Sequence, residues 1–305
     1  MEWEVRIIEW IQSNLGGVSA VIGKLFSFIG GEKGLLLLLL LVMFCWKKEA
    51  GKRLAVTVIA VNVWLPMIKS AVKRIRPYME HPDRVKALAL VDSGAAANDV
   101  AAQGYSFPSM HSASVPAAYF TLAQEAKKKW LWILATVLTV LVGFFRVAVG
   151  MHYPTDVLAG WALGFAVLGI ITLLERYIRR EWLRHLIVLA VALPGLAFVR
   201  TEDYFTSLGL LVGVIAAFPF ERRFVNYEDT RNVWAMIART VCAFALYFVL
   251  NKLLKMPFSP EFLKSGSFGA LLVRSARYAV IIFVILGVYP KIFPLFEKLG
   301  KKKAK

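Results

Sequence analysis

Three short stretches of this chain hold residues of one chemistry. Lys69 and Arg76 lie seven positions apart, with Pro77 directly after them. Pro108-Ser109-Met110-His111 follows, and then come Arg146, His152 and Asp156 at spacings of six and four. Together they are three cations, a hydroxyl, two imidazoles and a carboxylate. Such a set can neutralise a phosphate, attack its phosphorus and protonate the oxygen that leaves.

Each stretch has its own physical reading. A seven-residue step places Lys69 and Arg76 near one helix face, two turns apart, with Pro77 ending the helix. Lys73 and Arg74 stand beside them, so this spacing alone fits a basic interfacial helix end equally well. Proline favours the first helical turn, so Pro108 predicts that the backbone N–H groups of Ser109 and Met110 are free to face an anion. The Ser109 hydroxyl adds a donor. Asp156, four positions after His152 and next to a helix start marked by Pro154, is placed to accept a hydrogen bond from one imidazole nitrogen. That bond fixes the tautomer and leaves the other nitrogen to attack. Arg146 offers a planar fork suited to phosphate oxygens. Taken singly, the second and third stretches also fit capped helices with incidental histidines. Yet the chain has four histidines, and two of them fall here.

The elements that must position these residues are membrane helices. Of 305 residues, 58% are hydrophobic, and apolar runs recur along the whole chain, so the predicted fold is an all-α polytopic transmembrane bundle. The expected spans are nine: 34–46, 51–73, 107–126, 130–146, 155–175, 183–200, 206–220, 232–254 and 267–293. Basic clusters separate them at Lys47–Arg53, Lys127–Lys129, Arg176–Arg184, Arg222–Arg231 and Lys301–Lys305. All five fall on one side of such a count, which makes that side cytoplasmic and places the three chemical stretches, with the N-terminus, at the other face. The net charge of +17 is thus a topology signal, and nucleic acid is not an expected partner. Two domains of sequence are distinguished, a motif-bearing 1–180 and a further helical 181–305.

Smaller features carry expectations of their own. The acidic start, Met1 to Arg6, has no apolar core and does not read as a secretory signal. Trp3, Ile7, Trp10, Ile11 and Leu15 recur at helical spacing, predicting an amphipathic helix that lies in the membrane interface or docks on the bundle. The long polar stretch Tyr78–Ser106, with Ser93-Gly94-Ala95-Ala96-Ala97 in it, joins the first motif to the second and reads as a lid, a gate or a plain connection. Cys45 and Cys242 read as small buried side chains. Arg239 and the pair Arg274 and Arg277 read as side chains snorkelling to the interface, with extra anion contacts as the alternative for the pair.

Together the three stretches resemble the tripartite signature of the type 2 phosphatidic acid phosphatase family, Lys-x6-Arg-Pro, Pro-Ser-x-His and Ser-Arg-x5-His-x3-Asp, matched in order and spacing over residues 69–156. The resemblance implies a metal-independent phosphatase without a cofactor. Lys69, Arg76 and Arg146 would bind the phosphate with Ser109 and the Met110 amide. His152 would be the nucleophile, Asp156 its orienting group and His111 the acid that protonates the leaving alkoxide. Two positions depart from the pattern. Met110 stands where glycine commonly precedes the histidine, and Phe145 replaces the serine before Arg146.

The implied substrate is a lipid phosphate monoester or pyrophosphate entering from the bilayer. The long C-terminal half and Val149-Gly150-Met151-His152 look loosely like sphingosine-1-phosphate phosphatases. The expected location is a cell membrane with the site facing the periplasm or outside, or an organelle lumen in a eukaryote. Competing readings are a lipid or anion transporter or flippase, and a phosphatase for a soluble ester such as a sugar phosphate. Transporters often carry repeated halves, and no repeat is visible here. Neither oligomeric state nor the lipid is legible.

Overall fold

The computed structural model describes residues 2–92 and 94–300. Ser93 and the basic run 301–305 lie outside the described residues. All regular elements described are helical. In chain order they are α1 (Glu2–Gly30), α2 (Glu32–Leu41, widened at Val42–Trp46), α3 (Lys48–Val72), the short α4 (Pro77–Glu80) and α5 (Val100–Gln103), then α6 (Met110–Ala126), α7 (Lys129–Ala148) and α8 (Pro154–Tyr177). After these come α9 (Glu181–Ala192), α10 (Gly195–Phe198), α11 (Glu202–Phe224), α12 (Val233–Leu253), α13 (Pro260–Lys264), α14 (Phe268–Phe283) and α15 (Phe293–Phe296).

Seven helical segments are long and apolar enough to cross a membrane, or up to eight if the bent pair α1 and α2 forms one span. The all-α, polytopic expectation therefore holds, with a smaller count than nine. The shortfall lies at the first and third expected spans. Residues 34–46 reach spanning length only together with α1. The third, 107–126, forms α6 of 17 residues, at the short end of the ~20 residues a hydrocarbon core requires. Pro108 and Ser109 are not helical, and the residues that follow are buried in protein.

The chain folds as two compact units. The first comprises residues 1–35, 64–177 and 197–201, and the second 36–63, 178–196 and 202–305. The change of unit after Tyr177 falls near the boundary read at 180, but residues 36–63 join the second unit from far upstream.

In the first unit, α6 lies between α7 and α8. Gly160 and Gly164, one turn apart on α8, make this possible. A Cβ on Gly160 would stand 2.6 Å from the Ser109 carbonyl oxygen, and one on Gly164 would stand 2.3 Å from that of Ala113. Small residues at i and i+4 let two backbones approach where apolar burial offers no drive between helices. This contact brings the start of α8 against the start of α6. The spacing of these glycines is visible in the sequence itself.

Helix α1 docks on the same unit. Val5, Ile8 and Ile11 are buried with Tyr78, Val85, Phe145, Met151 and Tyr153. Trp3, Ile7 and Trp10 point outward, Trp10 being 67% exposed. The docking reading of the segment is therefore realised, on one face of the helix. However, the docked face is Val5-Ile8-Ile11, and of the expected stripe only Ile11 belongs to it. The outward tryptophans suit a membrane interface.

The second unit packs α11 closely on α14, again through glycines one turn apart. Cβ atoms on Gly209 and Gly213 would stand 2.1 and 2.5 Å from the carbonyl oxygens of Ser275 and Ala279. Its basic residues gather at helix ends. Lys48 and Lys52 meet Glu221 at 3.2 and 3.8 Å, and Arg222 pairs with Glu181.

The snorkelling expectation does not hold for Arg239 and Arg277, which are buried. Buried Arg239 pairs with Glu297 at 2.9 Å and stacks on Phe293. Arg274 meets Glu202 and Thr206 at 2.7 and 2.8 Å, and buried Arg277 donates to Asn251 Oδ1 at 2.7 Å. An internal acceptor replaces water for each of the two buried guanidiniums, as burial demands. Cys242 is exposed rather than buried, while Cys45 is half-buried beside Thr240.

Candidate active site

The three chemical stretches meet at one end of the first unit. Helix α3 stops at Val72, and Lys73 takes a left-handed conformation with φ of +55°. Arg76 is extended before Pro77, the start of α4, as the residue preceding a proline prefers. Lys69 and Arg76 therefore do not share a helix face. Lys69 closes α3, and Arg76 leads into α4.

Both cations are held by carbonyls of one strap. Nζ of Lys69 donates to the Tyr105 oxygen at 2.7 Å. Arg76 donates from Nε to the Gln103 and Gly104 oxygens at 3.0 and 2.8 Å, from Nη2 to Gln103 at 2.7 Å, and from Nη1 to Met151 at 3.0 Å. Residues 103–105 end the long stretch expected to be a lid, gate or connection. Its described part is a scaffold. Buried Gln103 accepts from the Val91 and Asp92 amides, Leu88 donates to the Val149 carbonyl, and Ser106 donates to the Arg74 and Ile75 carbonyls. Arg84 bridges Glu2 and Glu9 of α1, and Lys86 pairs through its backbone with Gln12.

The second stretch is built differently from expectation. Helix α6 begins at Met110, with Ser109 as its cap and Pro108 before the cap. The Ser109 amide is not free, because it donates to the Asp156 carbonyl at 3.0 Å. The Ser109 hydroxyl accepts from Ser112 Oγ at 2.8 Å. Met110 occupies the first helical position, where an amide has no partner within the helix. His111 follows in the same turn, within electrostatic reach of Arg146, His152, Arg76 and Lys69.

The third stretch supplies the centre. Arg146 ends α7, and His152 lies in the turn that leads to α8, where Pro154 opens the helix as its position predicts. His152 is buried, its Nε2 3.4 Å from Nη1 of Arg76. Its Nδ1 faces Asp156 at 3.7 Å, beyond hydrogen-bond distance. Asp156 instead accepts from the Tyr153 amide and from Arg74 Nη1, both at 2.8 Å. The first of these contacts is a capping-box carboxylate reaching back to the start of its helix. Burial, then Arg76, Arg146 and Lys69, hold the His152 imidazole well below its ordinary pKa of 6.5, which favours the neutral ring.

Two contacts to the site come from outside the fixed positions of the three motifs. The first is made by Arg74, which in the sequence fits a basic helix end. It joins Asp156 to buried Glu4 of α1, with Nη2 to Glu4 at 2.7 Å, and lies over the Tyr153 ring at 3.9 Å. Glu4 also accepts from the Thr155 amide and hydroxyl at 3.1 and 2.6 Å. The second is made by Ser27, whose hydroxyl accepts from Arg146 Nη1 at 2.8 Å. The only signal for Glu4 was an acidic residue on an apolar helix; Ser27 had none. Among the described residues, no three His, Cys, Asp or Glu side chains cluster as metal ligands would.

A buried set of cations around two imidazoles, carried on the helices of a membrane bundle, has the charge and the donors that a phosphoryl group demands. Family comparison agrees. The PAP2 superfamily matches residues 50–180, and the PAP2 superfamily phosphatase transmembrane extension matches residues 205–302, together about three quarters of the chain. The chain belongs to the PAP2 superfamily and is an integral membrane protein.

It is 48% identical over 60 residues to a protein named undecaprenyl-diphosphatase of Sulfolobus acidocaldarius, covering 20% of this chain and 29% of that one. It is 35% identical over 85 residues to phosphatidylglycerophosphatase B of Bacillus subtilis, covering 25% and 42%. The chain thus spans less than half the length of either relative. No solved structure matches it.

Proposed function

We propose that this protein is an integral-membrane lipid phosphatase that hydrolyses a lipid phosphate monoester or pyrophosphate at the non-cytoplasmic face. The observation that carries the reading is buried His152, with Nε2 3.4 Å from Arg76 and with Lys69 and Arg146 in its field. A nucleophile surrounded by cations suits a dianionic phosphate and the charge that develops on its equatorial oxygens.

In this mechanism Nε2 of His152 attacks phosphorus as the P–O bond to the lipid breaks. His111 gives its proton to the leaving oxygen, so that a lipid alcohol departs. Water then attacks the phosphohistidine, giving its proton back to His111 and releasing phosphate with His152 restored. Lys69, Arg76 and Arg146 hold the phosphoryl oxygens throughout, with the Met110 amide and the Ser109 hydroxyl beside them. Asp156 orients His152. The names of the two relatives, one for a lipid diphosphate and one for a lipid phosphomonoester, keep both substrate types in view. The outer-face assignment rests on the basic helix ends. Lys127–Lys129 join α6 to α7 at the ends opposite Ser109 and Arg146.

The test is phosphate release from a panel of lipid phosphates in detergent, with and without a chelator. Activity that disappears in His152→Ala and persists with chelator supports the mechanism. Activity that survives His152→Ala, or that needs added metal, overturns it.

A further inference from the structure

The signature serine before Arg146 is replaced by Phe145, so a hydroxyl that the pattern provides is missing from α7. The structure restores a hydroxyl next to Arg146 from another helix. Phe145 stacks on Phe26 of α1, with ring centroids 4.9 Å apart and planes within 8°. The next residue, Ser27, thereby faces Arg146, and its Oγ accepts from Nη1 at 2.8 Å. A serine hydroxyl that accepts one bond still has a hydrogen to donate. Among the described residues Ser27 makes no other side-chain hydrogen bond.

The end of α1 beyond Ser27 is fitted to the same place. A Cβ on Gly30 would stand 2.9 Å from Val115 and 3.5 Å from the His111 Cβ. One on Gly31 would stand 3.4 Å from the His111 Nε2. Any larger residue at Gly30 would push this end of α1 off α6. Segment 26–31 is thus seated between the cation that would hold the phosphate and the histidine that would protonate its leaving oxygen.

We infer that Ser27 is a further phosphate-binding residue, donating its hydroxyl to the phosphoryl oxygen that Arg146 holds and so standing in for the serine lost at position 145. The inference rests on the proposed phosphatase reading of this site. It makes α1, which lies outside the matched residues 50–180, a fourth contributor to the site. One donor to an anionic oxygen corresponds to a change of about 10- to 100-fold.

The experiment compares full-length wild type, Ser27→Ala, Ser27→Thr and Ser27→Ala/Phe145→Ser, with orthovanadate as the phosphate mimic. The expected result is that Ser27→Ala lowers kcat/KM and weakens vanadate inhibition by about 10-fold or more. Ser27→Thr should keep both near wild type, and Phe145→Ser should recover part of the loss. Unchanged vanadate inhibition in Ser27→Ala overturns the inference, as does equal impairment in Ser27→Ala and Ser27→Thr, which marks a packing role only. A second measurement does not need the alanine variant to fold. Ser27→Cys, with Cys45 and Cys242 replaced by alanine, should be protected from a small thiol reagent by vanadate, and absence of protection overturns the inference. His152→Ala separates the two levels. Loss of activity there with a silent Ser27 sinks only the inference, whereas surviving activity sinks the phosphatase mechanism itself.

Discussion

Nδ1 of His152 lies 3.7 Å from Oδ2 of Asp156, while the other oxygen of that carboxylate holds Arg74 at 2.8 Å. Asp156 is thus fixed by Arg74 and by the Tyr153 amide before it meets the imidazole. Catalytic hydrogen bonds shorten when the reacting complex forms, and a ring shift of under about 1 Å closes this one. Asp156→Asn keeps the volume but removes the charge that, in the proposed mechanism, would stabilise the imidazole while it bonds to phosphorus. It should lower kcat by about 10²–10⁴-fold with a much smaller change in KM, read by steady-state phosphate release.

Glu4 has no exposed surface and is the second carboxylate on Arg74. Glu4→Gln leaves Arg74 paired with Asp156 but removes the charged acceptor shared by Arg74 and Thr155, at about 1.5–3 kcal/mol for a hydrogen bond to a charged group. Glu4→Gln should therefore lower the melting temperature in detergent markedly. Because Arg74 also orders Asp156, activity should fall below the level expected from folded protein alone. A melting curve equal to wild type would refute the role assigned to this network.

Arg76 spends its guanidinium on three backbone carbonyls, those of Gln103, Gly104 and Met151. Lysine keeps the charge but has no planar fork to span them. Arg76→Lys should therefore lose about 10²-fold or more in kcat/KM, near the effect of removing one preorganised electrostatic contact. It should also loosen residues 103–105, seen as faster amide exchange there. Charge alone being sufficient would show as near-normal kcat/KM in this variant.

The depressed His152 pKa makes a statement about stability. Its folded value lies well below 6.5, chiefly through burial and then through Arg76, Arg146 and Lys69. Between the folded pKa and about 6.5 the unfolded chain binds the extra proton, so stability rises with pH in that window. The contribution is complete above pH ~6.5 and is lost as pH falls toward the folded value. The difference in unfolding midpoint between wild type and His152→Gln should consequently grow as pH is raised from 5 to 7 and then level off. A difference independent of pH would contradict the assignment.

Sidedness is tested by labelling. Cys242 is exposed, so both native cysteines must be replaced first. A cysteine introduced at exposed Asp92 should then react with an impermeant reagent applied from the non-cytoplasmic side, without permeabilisation. Labelling that requires permeabilisation of intact cells reverses the orientation.

The local chemistry was legible because it is written in short spacings. The four-residue step from His152 to Asp156, the proline before the α8 helix and the apolar runs all declare themselves within a few turns. Legibility stopped where the helix did. Lys69 and Arg76 fit one helical face by number, yet Lys73 breaks the helix and Arg76 is extended before Pro77. Pro108 fits a first helical turn by preference, yet Ser109 takes the cap and gives its amide to Asp156. In both places a contact with another element decides a conformation that propensity leaves open.

By itself the sequence determined the family signature, the order of its groups, the helical membrane fold and the basic helix ends on which the proposed orientation rests. Only the tertiary structure decided which groups surround His152. Arg74 meets Glu4 across 70 positions, and Arg146 meets Ser27 across 119. Periodicity records what lies within a turn or two of helix, whereas these pairs depend on how α1 docks. That docking is set by the close fit of Val5, Ile8, Ile11 and Phe26 against partners far along the chain, and such a fit leaves no pattern in the sequence of either surface alone.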